Sequence, residues 1–278
     1  MRRLIVLTVV AAMALATSAA AAPRPKAGDW RTPDPRNVLV IDTNKGRVIV
    51  ELVPEVAPDH VARLTDLAHK GTYDGRTFFR VIDRFMAQTG DPLNTGEGSV
   101  EGLANLKAEF TYRRAADSAF VPVAAPQGTQ VGFLLSLPVV SQEISYTAMT
   151  GDQKVAAWGT YCPGVVGMAR DENPDSANSQ FFLMRYAYPS LDKRYTAFGR
   201  VISGLDVIRA IKVGEPVAAP QDVMQTVRVL ADIPEAQRPT VKIIDPKGPW
   251  FAAEVKRVRK HKGADFSVCD VSLPVEVQ

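Results

Sequence analysis

Residues 77–91 read TFFRVIDRFMAQTGD and carry the most informative pattern of the chain. Residues 77–86 are rich in β-branched and aromatic side chains and predict a strand. A glycine-rich loop follows at residues 90–102. Because that loop lacks the Gly-Lys-Ser/Thr ending of a phosphate-binding loop, we interpret its glycines as backbone turns. The strand carries a permanently charged side chain, Arg80, directly after two phenylalanines.

The segments on either side predict more strands than helices. Two β-branched runs, residues 38–41 and 48–52, flank the turn residues 43–46 and predict a hairpin. Further strands are predicted at residues 180–184, 196–201 and 223–230, and helices at residues 58–71 and 206–211. Many short strands with few short helices favour a mainly β barrel or sandwich over alternating strand-helix-strand units.

The N-terminal residues have the pattern of a secretory signal. Arg2 and Arg3 precede an apolar run at residues 4–15, and small residues follow. This pattern predicts a signal peptide over residues 1–20 that is cleaved near Ala20, which makes the mature protein periplasmic or secreted and free of the membrane. An uncleaved membrane anchor is the alternative, because residues 4–22 approach spanning length.

Composition excludes some function classes. The chain has 278 residues, 46% hydrophobic and 23% charged, with a formal net charge of +3. These values are typical of a globular protein and not of an electrostatic nucleic-acid binder. The two cysteines, Cys162 and Cys269, suit an oxidising compartment, and no other cysteine competes with them. We predict a disulfide between them, with two unpaired thiols as the alternative.

The chain divides into three parts after the signal is set apart. Residues 21–36 are proline-rich and predict an extended leader. The main domain spans residues 37–234 and contains a segment, residues 111–163, that is too long for an ordinary loop. Residues 235–278 form a C-terminal extension of β-α-β type, with strands at residues 241–244 and 266–277 and a basic amphipathic helix between them. The basic face of that helix is either solvated or contacts an acidic partner.

Several kinds of chemistry lack their sequence signals. The chain has no Gly-x-Ser-x-Gly elbow, no His-Glu-x-x-His motif and no paired-cysteine zinc spacing. His60, His69 and His261 fall in predicted helices, and we interpret them as surface residues instead of metal ligands. We therefore expect neither a metal site nor a cofactor.

An ordered set of short motifs remains. Phe78-Phe79-Arg80-Val81-Ile82 and Phe85-Met86-Ala87-Gln88 come first, followed by Gly167-Met168-Ala169-Arg170, Asn178-Ser179-Gln180-Phe181-Phe182, Leu191-Asp192 and Phe198-Gly199. In this order and spacing they resemble the cyclophilin family of peptidyl-prolyl cis/trans isomerases, over residues 37–234 apart from the segment after Phe110. The resemblance implies a closed antiparallel eight-stranded barrel with two capping helices, and the long insertion and C-terminal extension are additions to it.

The resemblance also implies a site. Rotation about an X-Pro bond makes and breaks no covalent bond, so it needs no nucleophile, metal or cofactor. A cationic donor that favours the twisted amide is sufficient, and Arg80 is implied as this catalytic residue. The implied substrate-binding residues are Phe85, Met86, Gln88, Ala169, Gln180, Phe182, Leu191 and Tyr195. This chain departs from many relatives at Ser190, Tyr195 and Arg170, where they have tryptophan, histidine and asparagine.

These observations predict an isomerase that acts, as a monomer, on proline-containing unfolded or partly folded polypeptides and assists the folding of exported proteins. A different class remains open: a binding module or holding chaperone with the same fold, in which isomerisation is incidental. The insertion and the extension favour this alternative, since both exceed what catalysis needs. An unrelated secreted β-domain with a chance motif match is the third interpretation.

Overall fold

A computed structural model describes residues 24–278, and the predicted signal peptide at residues 1–20 lies outside the described residues. Within residues 24–278 the chain folds into three antiparallel sheets and three α-helices, so the mainly β prediction is confirmed. No helix in this range has both the length and the apolar character that crossing a bilayer requires.

The strands of the described residues follow in chain order. They are β1 (Trp30–Arg31), β2 (Val38–Thr43), β3 (Gly46–Leu52), β4 (Arg76–Thr77), β5 (Arg80–Ile82), β6 (Met86–Thr89), β7 (Tyr112–Arg114), β8 (Val121–Ala124), β9 (Thr129–Leu134), β10 (Leu137–Gln142), β11 (Val155–Gly159), β12 (Val165–Met168), β13 (Phe181–Met184), β14 (Ala197–Ser203), β15 (Val223–Val229), β16 (Val241–Ile244) and β17 (Val275–Val277). The helices are α1 (Pro58–His69), α2 (Leu205–Ala210) and α3 (Pro249–Lys262).

The main sheet has nine strands in the order β4-β15-β2-β3-β14-β12-β13-β6-β5, curled around one core. Its two edge strands, β4 and β5, are consecutive in the chain and are joined by Phe78 and Phe79. The amide of Phe78 donates to the carbonyl of Asp222, and the carbonyl of Phe79 accepts from the amide of Val217. These backbone groups therefore do not pair β4 with β5, and the sheet stays open between its two edge strands. The predicted closure into an eight-stranded barrel is therefore wrong: the sheet is an open, curled sheet of nine strands. The single strand predicted at residues 77–86 is divided among β4, β5 and the start of β6.

The two predicted helices pack on this sheet. Helix α1 begins at Pro58, which needs no amide partner at the first helical position. Its apolar residues at helical spacing, Val61, Leu64 and Leu67, are buried in the core of the curled sheet. Helix α2 is short and contributes the fully buried Ile208.

His60 corrects the interpretation of the histidines as surface residues. It is buried, and its Nδ1 lies 2.6 Å from Oε2 of Glu109. The Glu109 carboxylate also accepts hydrogen bonds from the Asp59 and His60 amides at the start of α1. The histidine is buried because the segment before the insertion docks on the first turn of this helix, where a carboxylate is favourable. His69, in contrast, pairs with Asp232 on the surface.

The insertion, residues 111–163, is a folded layer. It forms a five-stranded antiparallel sheet in the order β7-β11-β10-β9-β8. Its buried residues, among them Phe133, Leu137 and Tyr161, belong to a second core that is distinct from the core of the curled sheet. Met86 and Phe182 of the main sheet belong to this second core. The insertion therefore packs behind the part of the main sheet that carries the motif residues.

The leader and the extension form the third sheet, in the order β1-β16-β17. Trp30 pairs with Ile244, which ties the predicted extended leader to the C-terminal part of the chain. Helix α3 lies between β16 and β17 and buries Phe251, Val255 and Val258 in the second core. Of the last strand predicted at residues 266–277, only β17 forms, and short 3-10 turns precede it.

A disulfide joins two of these parts. Cys162, at the end of the insertion, is bonded to Cys269 of the extension, with the Cα atoms 5.1 Å apart. Cys162 is fully buried, whereas Cys269 is partly exposed. The bond fixes the extension to the insertion close to the second core.

Candidate active site

A row of neighbouring residues crosses the strands at the edge of the main sheet. Arg80 of β5 pairs with Gln88 of β6, and Gln88 pairs with Phe182 of β13. Phe182 in turn pairs with Gly167 of β12. A side chain at Gly167 would come within 2.5 Å of the Phe182 ring, so the ring needs glycine there. The sheet register thus sets Arg80, Gln88 and Phe182 side by side.

These residues surround a small cavity. The cavity has a volume of about 150 Å³. Eight of the nine predicted site residues line it together with Arg170: Arg80, Phe85, Met86, Gln88, Ala169, Phe182, Leu191 and Tyr195. Met86 and Phe182 are buried, and the others are partly exposed. We call this space the apolar cavity.

Gln180, the ninth predicted residue, lies in a neighbouring polar cavity of about 450 Å³. That cavity shares Gln88, Ala169 and Arg170 with the apolar cavity, so the two form a continuous groove. We call the larger space the polar cavity. Its opposite wall is formed by the glycine-rich loop around Gly96 and Gly98.

A chain of hydrogen bonds orients Arg80. Its Nε donates to Oε1 of Glu215 at 2.5 Å, and its Nη1 donates to Oε1 of Gln88 at 3.2 Å. The Gln88 amide donates to Oε1 of Gln180 at 2.9 Å. The Gln180 amide then donates to the carbonyl oxygens of Gly96 and Gly98 at 2.9 and 2.8 Å. Each link fixes the rotamer of the next, so the guanidinium is held in place at the cavity wall.

Asp91 organises the glycine-rich loop. Its carboxylate accepts hydrogen bonds from the amides of Leu93, Thr95 and Gly96 at 2.5–2.8 Å. Burial alone raises the pKa of Asp91, but these backbone donors outweigh it and hold the pKa below its usual range. A Cβ atom at residue 98 would lie 1.8 Å from Oδ1 of Asp91, so only glycine fits where the loop backbone approaches this carboxylate. The loop therefore presents its carbonyl oxygens to Gln180 in a fixed arrangement.

Aromatic packing supports the cavity from behind. Tyr161 of the insertion stacks on Phe182, and the Tyr195 ring meets Phe182 edge-on with the centroids 5.8 Å apart. The Arg170 guanidinium lies 4.5 Å from the centre of the Tyr195 ring. Arg170 thus forms a cation–π contact at the position where the resemblance implies asparagine.

The sequence did not identify two residues of this site. Glu215 follows an unpatterned loop and has no local signal for an ion pair with Arg80. Tyr161 lies in the insertion, outside the ordered motifs, and only the folded insertion brings it to Phe182. Within residues 24–278 no cluster of histidine, cysteine, aspartate or glutamate is arranged to hold a metal ion.

Comparisons with known proteins agree with this geometry. The family model described as cyclophilin type peptidyl-prolyl cis-trans isomerase/CLD matches residues 38–231. A probable peptidyl-prolyl cis-trans isomerase of Brucella suis is 35% identical over 181 residues, which cover 65% of this chain and 74% of that protein. Peptidyl-prolyl cis-trans isomerase 9 of Schizosaccharomyces pombe is 31% identical over 176 residues, 63% of this chain and 22% of that protein.

Among solved structures, the crystal structure of the cyclophilin AquaCyp293 from Hirschia baltica is similar to most of this chain. It has a TM-score of 0.82 and 33% sequence identity, and the match covers 89% of this chain and 93% of that one. The structural match therefore covers more of this chain than the family model does.

Proposed function

The chain belongs to the cyclophilin family of peptidyl-prolyl cis/trans isomerases, and we propose that it isomerises X-Pro bonds of exported polypeptides, with Arg80 as the catalytic residue, and so assists their folding. The observation that carries this proposal is the guanidinium of Arg80 on the wall of an apolar cavity with room for a proline ring. The ordered hydrogen bonds around Arg80 support the same role.

The reaction requires a twisted amide. The barrier of about 18–20 kcal/mol arises because rotation removes the resonance of the peptide bond. In the twisted state the proline nitrogen carries a localised lone pair that can accept a hydrogen bond, whereas in the planar ground state this pair is delocalised. A cationic donor next to that nitrogen is therefore bound more strongly in the transition state than in the ground state, which lowers the barrier.

The Arg80 guanidinium has a donor for this purpose. Its Nε and Nη1 are occupied by Glu215 and Gln88. Among the described residues no group accepts a hydrogen bond from Nη2, although Arg80 lines the apolar cavity. An arginine guanidinium presents its donors in a rigid planar fork, so one nitrogen can act on the substrate while the others hold their partners. We propose that Nη2 is the donor to the twisted nitrogen.

The apolar cavity would hold the proline ring while the amide turns. Met86 and Phe182 form its buried part, and Leu191 and Tyr195 form its partly exposed side. The oxygen of Gln88 accepts from Arg80, and its amide donates to Gln180. This occupancy favours a positioning role for Gln88 over the direct contact with the substrate backbone that the resemblance implies.

Export is the second part of the proposal. The N-terminal pattern of residues 1–20 and the disulfide between Cys162 and Cys269 both suit an oxidising compartment outside the cytosol. Cell fractionation of an export-competent bacterial host that expresses the full chain, followed by N-terminal sequencing, tests this part. We expect a periplasmic or secreted protein that starts near Ala21, and a cytosolic protein with an intact N-terminus would contradict it.

Catalysis and holding can be separated by stoichiometry. The purified mature protein is assayed on a proline-containing tetrapeptide and on the refolding of a protein that is limited by proline isomerisation. We expect acceleration of both at substoichiometric enzyme, with both lost in Arg80→Ala. A holding chaperone would need stoichiometric amounts and would act equally well without Arg80, which would contradict the proposed folding role.

A further inference from the structure

An exposed aromatic ring lies directly beside the apolar cavity. Phe85 lines that cavity, and the ring of Tyr188 contacts Phe85 with the centroids 4.6 Å apart and the planes at 52°. Tyr188 is 45% exposed, so part of its ring is open to solvent beside a residue that lines the cavity. We propose that Tyr188 and Phe85 form a subsite for an aromatic or large apolar side chain that flanks the proline of the substrate. The inference rests on the proposed function of the groove.

The backbone holds Tyr188 in a fixed position. Its amide donates to the carbonyl of Tyr161 at 2.8 Å, and its carbonyl accepts from the amide of Leu191 at 3.1 Å. Pro189 follows and begins the 3-10 helix Pro189–Leu191, which restricts the chain further. A ring on a fixed backbone with few rotatable bonds loses little entropy when a ligand packs on it. The subsite is therefore preorganised.

The Tyr188 ring lies where the side chain of a substrate residue next to the proline could contact it. Strand β6 runs along the apolar cavity with Phe85 just before its first residue and Gln88 near its end. Gln88 also lines the polar cavity, whereas Phe85 does not. An extended substrate advances by about 3.3 Å per residue, so the neighbours of a bound proline reach both ends of the apolar cavity. A substrate that runs along β6 would therefore place one neighbour at the polar groups around Gln88 and the other at Phe85 and Tyr188.

Tyr186 provides a matched comparison. It is also exposed, at 38%, and lies two residues earlier on the same segment. Its ring, however, is contacted by the guanidiniums of Arg84 and Arg209, 5.6 and 4.9 Å from its centre. Among residues 24–278 the Tyr188 ring has Phe85 as its only aromatic or cationic neighbour. The exposed part of the Tyr188 ring is thus available to a substrate side chain, whereas two guanidinium groups already contact the Tyr186 ring.

The test compares substrates in pairs. Four tetrapeptides are used: one pair has alanine or phenylalanine directly before the proline, and the other pair has alanine or phenylalanine directly after it. Their isomerisation is followed by NMR exchange, which needs no coupling protease. For each flank the ratio of kcat/KM for the phenylalanine peptide to that for the alanine peptide is measured. We expect the wild-type protein to prefer phenylalanine at one flank. Tyr188→Ala should lower that ratio by about three- to ten-fold. The kcat/KM of the alanine peptide should change less than two-fold.

Two variants serve as controls. Tyr188→Phe should keep the ratio, because the subsite uses the ring face and not the hydroxyl, and Tyr186→Ala should keep it as well. An equal loss on all four peptides in Tyr188→Ala would overturn the subsite, since the ring would then only support Phe85. An unchanged ratio in Tyr188→Ala would overturn it too. Wild-type activity on the alanine peptides tests the proposed function separately, because that activity does not depend on the ratio.

Discussion

Tyr161 stacks on Phe182 with the ring centroids 5.8 Å apart and the planes at 25°. Tyr161 belongs to the insertion, whereas Phe182 lines the apolar cavity. The amide of Tyr161 also donates to Asp192, the residue after Leu191 of the cavity. The insertion is therefore part of the support of the active site, and its contribution can be measured.

The hydroxyl of Tyr161 is buried and has no hydrogen-bond partner among the described residues. Removing only this group, in Tyr161→Phe, should leave stability unchanged or raise it by about 1 kcal/mol, because no buried polar group then lacks a partner. Tyr161→Ala should cost about 3–5 kcal/mol of unfolding free energy. It should also lower kcat/KM by about three- to ten-fold, since Phe182 loses an aromatic partner.

Denaturant unfolding and peptide kinetics on the two Tyr161 variants check these values. The phenylalanine variant is the control for the ring itself. Full activity in Tyr161→Ala, measured on the folded fraction at low temperature, would show that the insertion does not support the cavity.

The Asp91 carboxylate should make the free energy of unfolding depend on pH in the acid range. Its native pKa lies below its usual range, because backbone donors outweigh the effect of burial. The unfolded value is about 3.9. The stability that the carboxylate contributes is therefore complete above about pH 5 and is lost as the pH falls through 4 towards the native pKa. Asp91→Asn should be less stable by about 1–3 kcal/mol at pH 7, and the difference from wild type should narrow below about pH 4.

Urea unfolding of both proteins between pH 3 and pH 8 checks this prediction. A difference in unfolding free energy that stays constant over the whole range would contradict the assignment of the shifted pKa to Asp91. Asp91→Asn should also weaken the glycine-rich loop, so proteolysis at residues 92–98 should increase.

The disulfide between Cys162 and Cys269 closes a separation of 107 residues. The chain-entropy model assigns about 4–5 kcal/mol to such a link. We expect no free thiol in the denatured, unreduced protein. Reduction, or Cys269→Ala, should destabilise the extension first, with faster hydrogen exchange in α3 and β17 than in β5 and β6. Two titratable thiols would contradict the bond, and uniform loosening would contradict the local role.

The parts of the fold that sequence reasoning predicted correctly are set by local patterns. The β2/β3 hairpin follows from two β-branched runs around a short turn, and α1 from a proline start with apolar residues at helical spacing. The residues of the apolar cavity could be inferred only through the resemblance of the ordered motifs to the cyclophilin family. The register of Arg80, Gln88 and Phe182 then follows from strand pairing.

The parts that were missed depend on contacts between distant residues. In the insertion sheet, β7 and β11 pair across most of the segment, and prolines at Pro122 and Pro138 obscure two of its strands. His60 lies four residues before Leu64, on the buried face of α1, and its polar side chain is satisfied there by Glu109 from a distant segment, which the sequence did not reveal. The prediction of a closed barrel was wrong at Phe78 and Phe79, which lie between β4 and β5. Both side chains are buried, whereas the alternation of a regular strand would bury only one of two successive residues.

The proposed function requires that the charge of Arg80 acts on the twisted amide. The most direct measurement is kcat/KM of Arg80→Ala on a tetrapeptide, with its melting temperature and with Glu215→Gln as the matched variant. Because Arg80 is partly exposed and its ion pair with Glu215 is a surface pair, neither change should alter the melting temperature by more than a few degrees. We expect kcat/KM to fall by about 10²–10³ in Arg80→Ala and by less than about three-fold in Glu215→Gln. Activity of folded Arg80→Ala above half that of wild type would contradict the claim.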